Sequence, residues 1–155
     1  MMGNGLICAE KIPESPVGSA ASRASQSRDL TKLRIVIVDD EFLVACHLQT
    51  MLGDLNFEHC EIANDAQGAI DCVVNQEPDL LLMDVNLGEG PDGIETVRRI
   101  QEYRKVAAIF ITAYTDDFNL GRIRQLTPDA PILSKPVSPQ VLRATIERLF
   151  ATDVS

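Results

Sequence analysis

The chain has 155 residues with 45% hydrophobic and 24% charged side chains, which suits one globular domain with a buried core and excludes a disordered or fibrous protein. Its formal net charge is −9, and because residues 1–32 carry a net charge of +1, the remainder carries −10. This acidic body argues against sequence-independent binding to nucleic acid or to an anionic membrane surface.

Residues 1–31 form a first segment that is rich in Gly, Ser, Ala and Pro and lacks any helical or strand period. We predict a flexible leader over 1–31 and one folded domain over 32–155. The apolar run GLICA is too short for a secretory signal, and no stretch of about 18 apolar residues is present to span a bilayer. These features predict a cytoplasmic protein.

From residue 33 onward, strands rich in apolar side chains alternate with amphipathic helices. The predicted strands are 33–38, 58–63, 79–84, 106–112 and 130–134. The predicted buried stripes of the first three helices are Val44, Leu48, Met51, Leu52 and Leu55, then Ala66, Ala69, Ile70, Val73 and Val74, then Ile94, Val97 and Ile100. A weaker helix over 116–126 is interrupted by Gly121, and a last helix begins after its cap Ser138.

Five strand–helix units in succession predict an α/β fold with a five-stranded parallel sheet and helices on both faces. The strand 58–63 is polar and the strand 130–134 contains Pro131, so both suit the edges of the sheet. We therefore predict the doubly wound, flavodoxin-like strand order 2-1-3-4-5, because a closed barrel would need about eight such units.

Three consecutive carboxylates, Asp39, Asp40 and Glu41, follow the first strand. Such a cluster is electrostatically unfavourable unless a positive charge lies beside it. A solvated turn is the simpler interpretation of this feature taken alone.

Other polar side chains follow the neighbouring strands, and parallel strands bring their carboxyl ends to one edge of the sheet. Asp84 ends the third strand, Thr112 ends the fourth, and the fifth leads into Lys135. We predict that these side chains and the two aspartates after the first strand line one shallow, solvent-accessible crevice. Clustered carboxylates are suitable ligands for Mg²⁺, and a further carboxylate beside the cation can attack an electrophilic phosphorus.

Five short motifs then resemble, in order and spacing, the receiver domain of bacterial two-component response regulators. The motifs are VDDE (38–41), LLLMDVN (80–86), DGIE (92–95), ITA (111–113) and SKP (134–136). The resemblance covers residues 33–150.

This resemblance implies that Asp84 is the phosphoacceptor, which takes a phosphoryl group from a kinase phosphohistidine. Asp40 would bind Mg²⁺ directly, and Asp39 would hold the ion, commonly through water. The backbone carbonyl of Asn86 would complete the protein ligands of the ion.

The resemblance also implies that Lys135 pairs with the acceptor aspartate and then with the phosphoryl group, and that its peptide bond to Pro136 is cis. The Thr112 hydroxyl is expected to move toward a phosphoryl oxygen, with the Ala113 N–H assisting.

Two features depart from the family pattern. Ile132 stands where the family often has a Tyr or Phe whose rotamer changes on activation. Gly88 replaces the usual proline after the acceptor, and the Asp-Gly pair at 92–93 comes one residue late. With the DEFLVA and ITAYTDD stretches, this loop resembles receivers paired with certain alphaproteobacterial sensor kinases.

The resemblance implies a signalling protein of a two-component phosphorelay, whose partners are a sensor histidine kinase or phosphotransfer protein and a downstream protein. Since only five residues follow Phe150, we predict a stand-alone receiver. The acidic charge and the lack of an apolar span predict no direct contact with nucleic acid or membrane. The resemblance implies no enzymatic activity beyond the protein's own phosphoryl uptake and hydrolysis. The weak helix 116–126 is expected to be more mobile than 42–54. The oligomeric state stays open.

Three alternatives are compatible with parts of the pattern. The chain could be a fragment of a longer regulator or hybrid kinase, or an inactive receiver that only binds proteins. A phosphatase with an aspartyl-phosphate intermediate is disfavoured, because Asn86 stands where such enzymes have a second acid. A zinc or disulfide site is also disfavoured, since the four cysteines and two histidines show no ligand spacing.

Overall fold

The computed structural model describes residues 29–113 and 115–151. The predicted leader lies outside these ranges except for residues 29–31, and a short 3₁₀ helix covers Leu30–Lys32. The described residues divide into a main compact unit, Thr31–Thr145, and a second unit whose described parts are residues 29–30 and 146–151. In the second unit, the described residues after 145 are the last turns of the final helix.

Five strands and five α-helices alternate along the described part of the chain. The strands are β1 (Arg34–Val38), β2 (His59–Ala63), β3 (Leu80–Met83), β4 (Ala107–Thr112) and β5 (Ile132–Ser134). The helices are α1 (Phe42–Asp54), α2 (Ala66–Gln76), α3 (Gly93–Tyr103), α4 (Asp117–Leu126) and α5 (Pro139–Ala151). The predicted elements are therefore confirmed, with ends that differ by one or two residues.

The five strands form one sheet in the order β2-β1-β3-β4-β5, and every neighbouring pair is parallel. At the carboxyl edge, Val38 of β1 pairs with Ala63 on one side and with Met83 on the other. This topology confirms the predicted doubly wound fold. Since strand order reverses between β1 and β3, a crevice for a ligand is expected at their carboxyl ends.

The burial of each strand matches its position in the sheet. Every residue of β3 is buried, as are the last four residues of β1 and the last five of β4. In β2, exposed residues alternate with more buried ones, and β5 is only half-buried. The polar strand and the strand after Pro131 therefore lie at the edges, as predicted.

The helices α2, α3 and α4 share one hydrophobic cluster with the sheet. Val36 and Val38 of β1 belong to this cluster, whereas the alternating residues Ile35 and Ile37 do not, which shows that they face the other side. The α2, α3 and α4 members of the cluster are Ala69, Val73, Ile94, Val97, Ile100 and Ile123.

The predicted buried face of two helices needs correction. In α1 the small side chain of Ala45 is buried, whereas Val44 is only half-buried. In α2 the side chain of Val74 is 47% exposed, although its apolar character predicted burial. Both cases follow from helix geometry, because a flanking apolar residue lies at the border of a stripe that its neighbours already fill.

Candidate functional site

Two aspartates are buried at the carboxyl ends of the central strands. Asp39 follows β1 and is 1% exposed, and Asp84 follows β3 and is 6% exposed. The hydrogen bonds of the sheet continue into both residues, from Asp39 N to Ala63 O (3.1 Å) and from Asp84 N to Val38 O (2.9 Å). The rigid sheet therefore fixes the backbone that carries these two carboxylates.

Asp40 completes the cluster from an exposed position. One carboxylate oxygen from each of Asp39, Asp40 and Asp84 lies within 4.8 Å of the others. The prediction that these three residues converge is confirmed by the structure. Of the three carboxylates, only Asp40 is exposed to solvent, as the prediction of a solvent-accessible crevice required. Strand packing buries the carboxylates of Asp39 and Asp84.

Lys135 supplies the positive charge beside the buried pair. Its Nζ donates to Asp39 Oδ2 at 2.9 Å and to Asp84 Oδ2 at 3.2 Å. The backbone N–H of Lys135 donates to Thr112 O at 3.0 Å, which continues the β4–β5 pairing up to the lysine. The peptide bond between Lys135 and Pro136 is cis, as the resemblance implied.

The contact between Asp84 and Lys135 affects the pKa values of the two side chains differently. Burial raises the pKa of Asp84 above its ordinary value and the Asp39 charge adds to this, whereas Lys135 acts in the opposite direction. For Lys135, burial lowers the pKa, but the hydrogen bond that its ammonium donates to Asp39 and the negative charges of Asp84 and Asp39 outweigh this effect, so the pKa of Lys135 is raised. The Lys135 ammonium is thus stabilised by two carboxylates, whereas Asp84 shares this single cation with Asp39.

Thr112 lies at the end of β4 with its side chain fully buried, and Ala113 follows in an exposed bend. Thr112 is in register with Ser134, the residue before Lys135. The threonine therefore shares the carboxyl edge of the sheet with the lysine.

The loop after Asp84 is folded back over the site. Asn86 N donates weakly to Asp84 Oδ1 (3.4 Å), and Gly88 N donates to Asn86 Oδ1 (3.1 Å). Gly88 has a φ of +78°, and a Cβ on it would lie 3.3 Å from Asp40 Oδ2. Leu87, which lies between Asn86 and Gly88 in the sequence, is buried and anchors this loop.

Sequence reasoning missed the role of Gly93. Its N–H donates to Val85 O at 2.7 Å, and a Cβ on Gly93 would overlap the carbonyl oxygen of Asp84 and lie 2.8 Å from Met83 Cγ. The first residue of α3 is therefore pressed against the backbone of Asp84. The sequence contains the Asp-Gly dipeptide at 92–93, but nothing in the sequence alone shows which backbone group the glycine approaches.

The donor set fits a divalent cation that prefers oxygen. Three carboxylates lie together against one ammonium, so negative charge remains, and the exposed side of Asp40 leaves room for water ligands. Mg²⁺ prefers one or two carboxylates together with waters and a phosphate oxygen. Within the described residues, this cluster is suited to hold such an ion.

Comparisons with known proteins agree with this geometry. The family model described as "Response regulator receiver domain" matches residues 35–147. The chain is 33% identical over 118 residues to the sensory transduction protein LytT of Bacillus subtilis. The aligned region covers 75% of this chain and 47% of that protein. It is 29% identical over 115 residues to the phyllosphere-induced regulator PhyR of Methylorubrum extorquens, covering 74% of this chain and 42% of that protein. The chain thus spans less than half the length of these two relatives.

A solved structure shows the same fold. The N-terminal domain of a response regulator/sensory box/GGDEF 3-domain protein from Carboxydothermus hydrogenoformans superposes with a TM-score of 0.69 and 32% identity. The match covers 77% of this chain and 95% of that one. The finer resemblance to receivers of alphaproteobacterial kinases stays a prediction. None of the helices within 29–113 and 115–151 has the length and apolar character needed to cross a membrane.

Proposed function

We propose that this chain, which belongs to the family of response regulator receiver domains, accepts a phosphoryl group on Asp84 and signals through the altered protein surface. The observation that carries the proposal is the placement of Asp84. Its carboxylate is buried at the strand-order switch, within hydrogen-bonding distance of the Lys135 ammonium and beside two further carboxylates. A nucleophilic carboxylate among charge-neutralising groups is what phosphoryl transfer needs.

In the proposed reaction, a carboxylate oxygen of Asp84 attacks the phosphorus of a phosphohistidine on the donor protein. The O–P bond forms as the P–N bond breaks, and the electron pair of that bond returns to the imidazole, which takes up a proton. Asp39, Asp40, Asp84 and the backbone carbonyl of Asn86 would hold Mg²⁺, which neutralises charge on the phosphoryl oxygens when bound.

The remaining residues stabilise the product. The Lys135 ammonium, now paired with Asp39 and Asp84, is placed to contact a phosphoryl oxygen. The Thr112 hydroxyl and the Ala113 N–H would bind a second phosphoryl oxygen, since Thr112 ends the neighbouring strand β4 and Ala113 follows it. A move of these groups toward the new dianion would change the surface around β4, α4 and β5, and so bias a pre-existing equilibrium.

Receiver domains are signalling modules. For this chain we propose a sensor histidine kinase or a phosphotransfer protein as donor and a downstream protein as reader of the phosphorylated state. Its own chemistry is confined to phosphoryl uptake and to hydrolysis of the aspartyl phosphate by water. Direct contacts with nucleic acid are disfavoured by the net charge of −9.

Mass spectrometry after incubation with Mg²⁺ and acetyl phosphate tests the proposal. We expect the mass to increase by one phosphoryl group in the wild type and in Asp65→Asn, because Asp65 is a helix cap that asparagine can replace. Asp84→Asn should show no increase. If the aspartyl phosphate is hydrolysed too rapidly for detection, a beryllofluoride adduct at Asp84, observed by ¹⁹F NMR, serves as the second readout. An adduct or a phosphoryl group in Asp84→Asn, or neither in the wild type, would refute the assignment.

A further inference from the structure

We propose that Arg122 is a positioning residue, which ties α4 to the loop after Asp84 and so couples the phosphoryl state of Asp84 to α4. The inference rests on the proposed function of Asp84. It adds a specific pair of residues, Asp92 and Arg122, that connects two segments leaving the site. Their side chains meet although 30 positions separate them in the sequence.

The first link joins Asp84 to the start of α3. Because a Cβ on Gly93 would overlap the Asp84 carbonyl oxygen, the two backbones are in direct contact. The Gly93 N–H also donates to Val85 O at 2.7 Å. A displacement of the loop backbone that follows Asp84 therefore cannot occur without a response at Gly93, since close-packed backbone does not compress.

The second link joins the start of α3 to α4 through Asp92. This residue caps α3, and its Oδ1 accepts from Glu95 N at 2.9 Å. The same carboxylate accepts from Arg122 Nη1 at 2.6 Å and from Arg122 Nη2 at 3.3 Å. A two-pronged guanidinium–carboxylate contact fixes orientation as well as distance, so the arginine sets the position of α4 relative to the cap.

The ion pair matters because α4 has little other anchorage. Of its residues only Ile123 is fully buried, whereas α1 and α3 bury four and five residues. Arg122 and Ile123 are adjacent, so the polar and apolar anchors of α4 fall within one turn. Phe118 lies 5.8 Å from the Arg122 guanidinium and is 73% exposed, which adds a cation–π contact within the helix.

The Asp92–Arg122 pair is also shielded from water more than an ordinary surface ion pair. The side chains of Asp92 and Arg122 are 32% and 28% exposed, compared with 51% and 61% for the Glu58–Lys32 pair. Exposed pairs contribute little to structure, whereas a partly buried, two-pronged pair restricts the groups that it joins. The pair therefore provides a defined contact between the acceptor loop and an element that is otherwise loosely held.

The test measures the response of α4 rather than its stability. Beryllofluoride with Mg²⁺ serves as the probe at Asp84, and ¹⁹F NMR reports the adduct while hydrogen exchange reports the amides of α4. The variants are Arg122→Gln and Asp92→Asn, the latter retaining a good helix cap. Arg122→Lys keeps part of the contact, and Arg124→Gln removes an exposed charge from the same helix.

We expect the adduct in all five proteins. The wild type and Arg124→Gln should show a change in α4 exchange when the adduct forms. That change should fall roughly fivefold or more in Arg122→Gln and Asp92→Asn, as expected for loss of a coupling contact, and should be intermediate in Arg122→Lys. A purely structural role would shift exchange equally with and without the probe.

Three outcomes overturn the inference. Adduct formation with a wild-type response of α4 in both Arg122→Gln and Asp92→Asn refutes the coupling alone, as does an adduct without any α4 response in the wild type. The absence of an adduct in the wild type refutes the proposed function of Asp84 and the coupling with it. The two failures are thus distinguished by separate signals.

Discussion

The Nζ of Lys135 donates to Asp39 Oδ2 over 2.9 Å, although 96 positions separate the two residues in the sequence. Both belong to segments that follow strands of one parallel sheet, and the shared carboxyl edge brings them together. The side chain of Asp39 is 2% exposed and that of Lys135 is 18% exposed, so the contact is largely removed from solvent. The lysine supplies a positive charge to a buried carboxylate whose other oxygen, Asp39 Oδ1, accepts from Glu41 N at 2.9 Å.

The first prediction concerns Lys135→Met, which keeps the length of the side chain and removes its charge. We expect the free energy of unfolding to fall by about 3 kcal/mol in metal-free buffer, because two buried carboxylates lose their cation. Mg²⁺ should restore part of this loss, since it neutralises the same carboxylates. Urea denaturation with EDTA and with Mg²⁺ measures both effects.

Lys105→Met is the matched control, because Lys105 is exposed. It should change the free energy of unfolding by no more than about 0.5 kcal/mol in either buffer. Equal stability of Lys135→Met and the wild type in EDTA would contradict the interpretation of a buried, charge-dependent site.

The fold was accessible from the sequence because each strand carries its own signal. The apolar residues of 79–84 and 106–112 require burial on both faces, and the polar strand and the strand after Pro131 are acceptable only at the edges. These patterns depend on local sequence alone. The border of each helix stripe depends on neighbouring elements, which is why the exposure of Val74 was not predicted.

The convergence of Asp39, Asp84 and Lys135 was also accessible, since it follows from strand ends and topology. Their burial was not, because the depth of the site depends on how the loop after Asp84 folds back. The Asp92–Arg122 pair was missed for a similar reason. It joins a helix cap to a side chain of another helix, and no periodic pattern in the sequence marks such a contact.

A second prediction uses two glycines in different surroundings. Gly93→Ala should lower the free energy of unfolding by at least about 3 kcal/mol, because its Cβ would overlap the Asp84 carbonyl oxygen. Gly121→Ala should raise it by about 0.5–1 kcal/mol, since this glycine lies in α4 with nothing within 4 Å of the added methyl group. Thermal or urea denaturation of both variants checks the opposite signs. Similar effects of both would show that backbone contact at Gly93 is unimportant.

A third prediction concerns local stability. The amides of α4 should exchange faster than those of α1, because Ile123 is the single buried side chain of α4 whereas Ala45, Leu48, Met51 and Leu52 are buried in α1. Native-state hydrogen exchange followed by NMR measures the protection of each helix. Equal protection would mean that α4 is held by more than its hydrophobic contact and its ion pair.

The last prediction concerns the pH dependence of the Asp92–Arg122 contact. Burial alone would raise the pKa of Asp92, but the hydrogen bonds from Arg122 and the Glu95 N–H and the Arg122 charge outweigh it, so its pKa lies below the ordinary 3.8. A carboxyl group whose pKa is lowered by folding contributes stability above its unfolded pKa, and this contribution is lost as the pH falls through the folded pKa.

Arg122→Gln should therefore be less stable than the wild type at pH 6, and the difference should shrink as the pH falls below 3.8. Urea denaturation of both proteins between about pH 6 and pH 3 measures the difference. Arg124→Gln should differ from the wild type by a nearly constant amount, because Arg124 is exposed and lies on the same helix. A difference for Arg122→Gln that stays constant or grows toward low pH would show that Arg122 stabilises the protein by packing rather than through the Asp92 carboxylate.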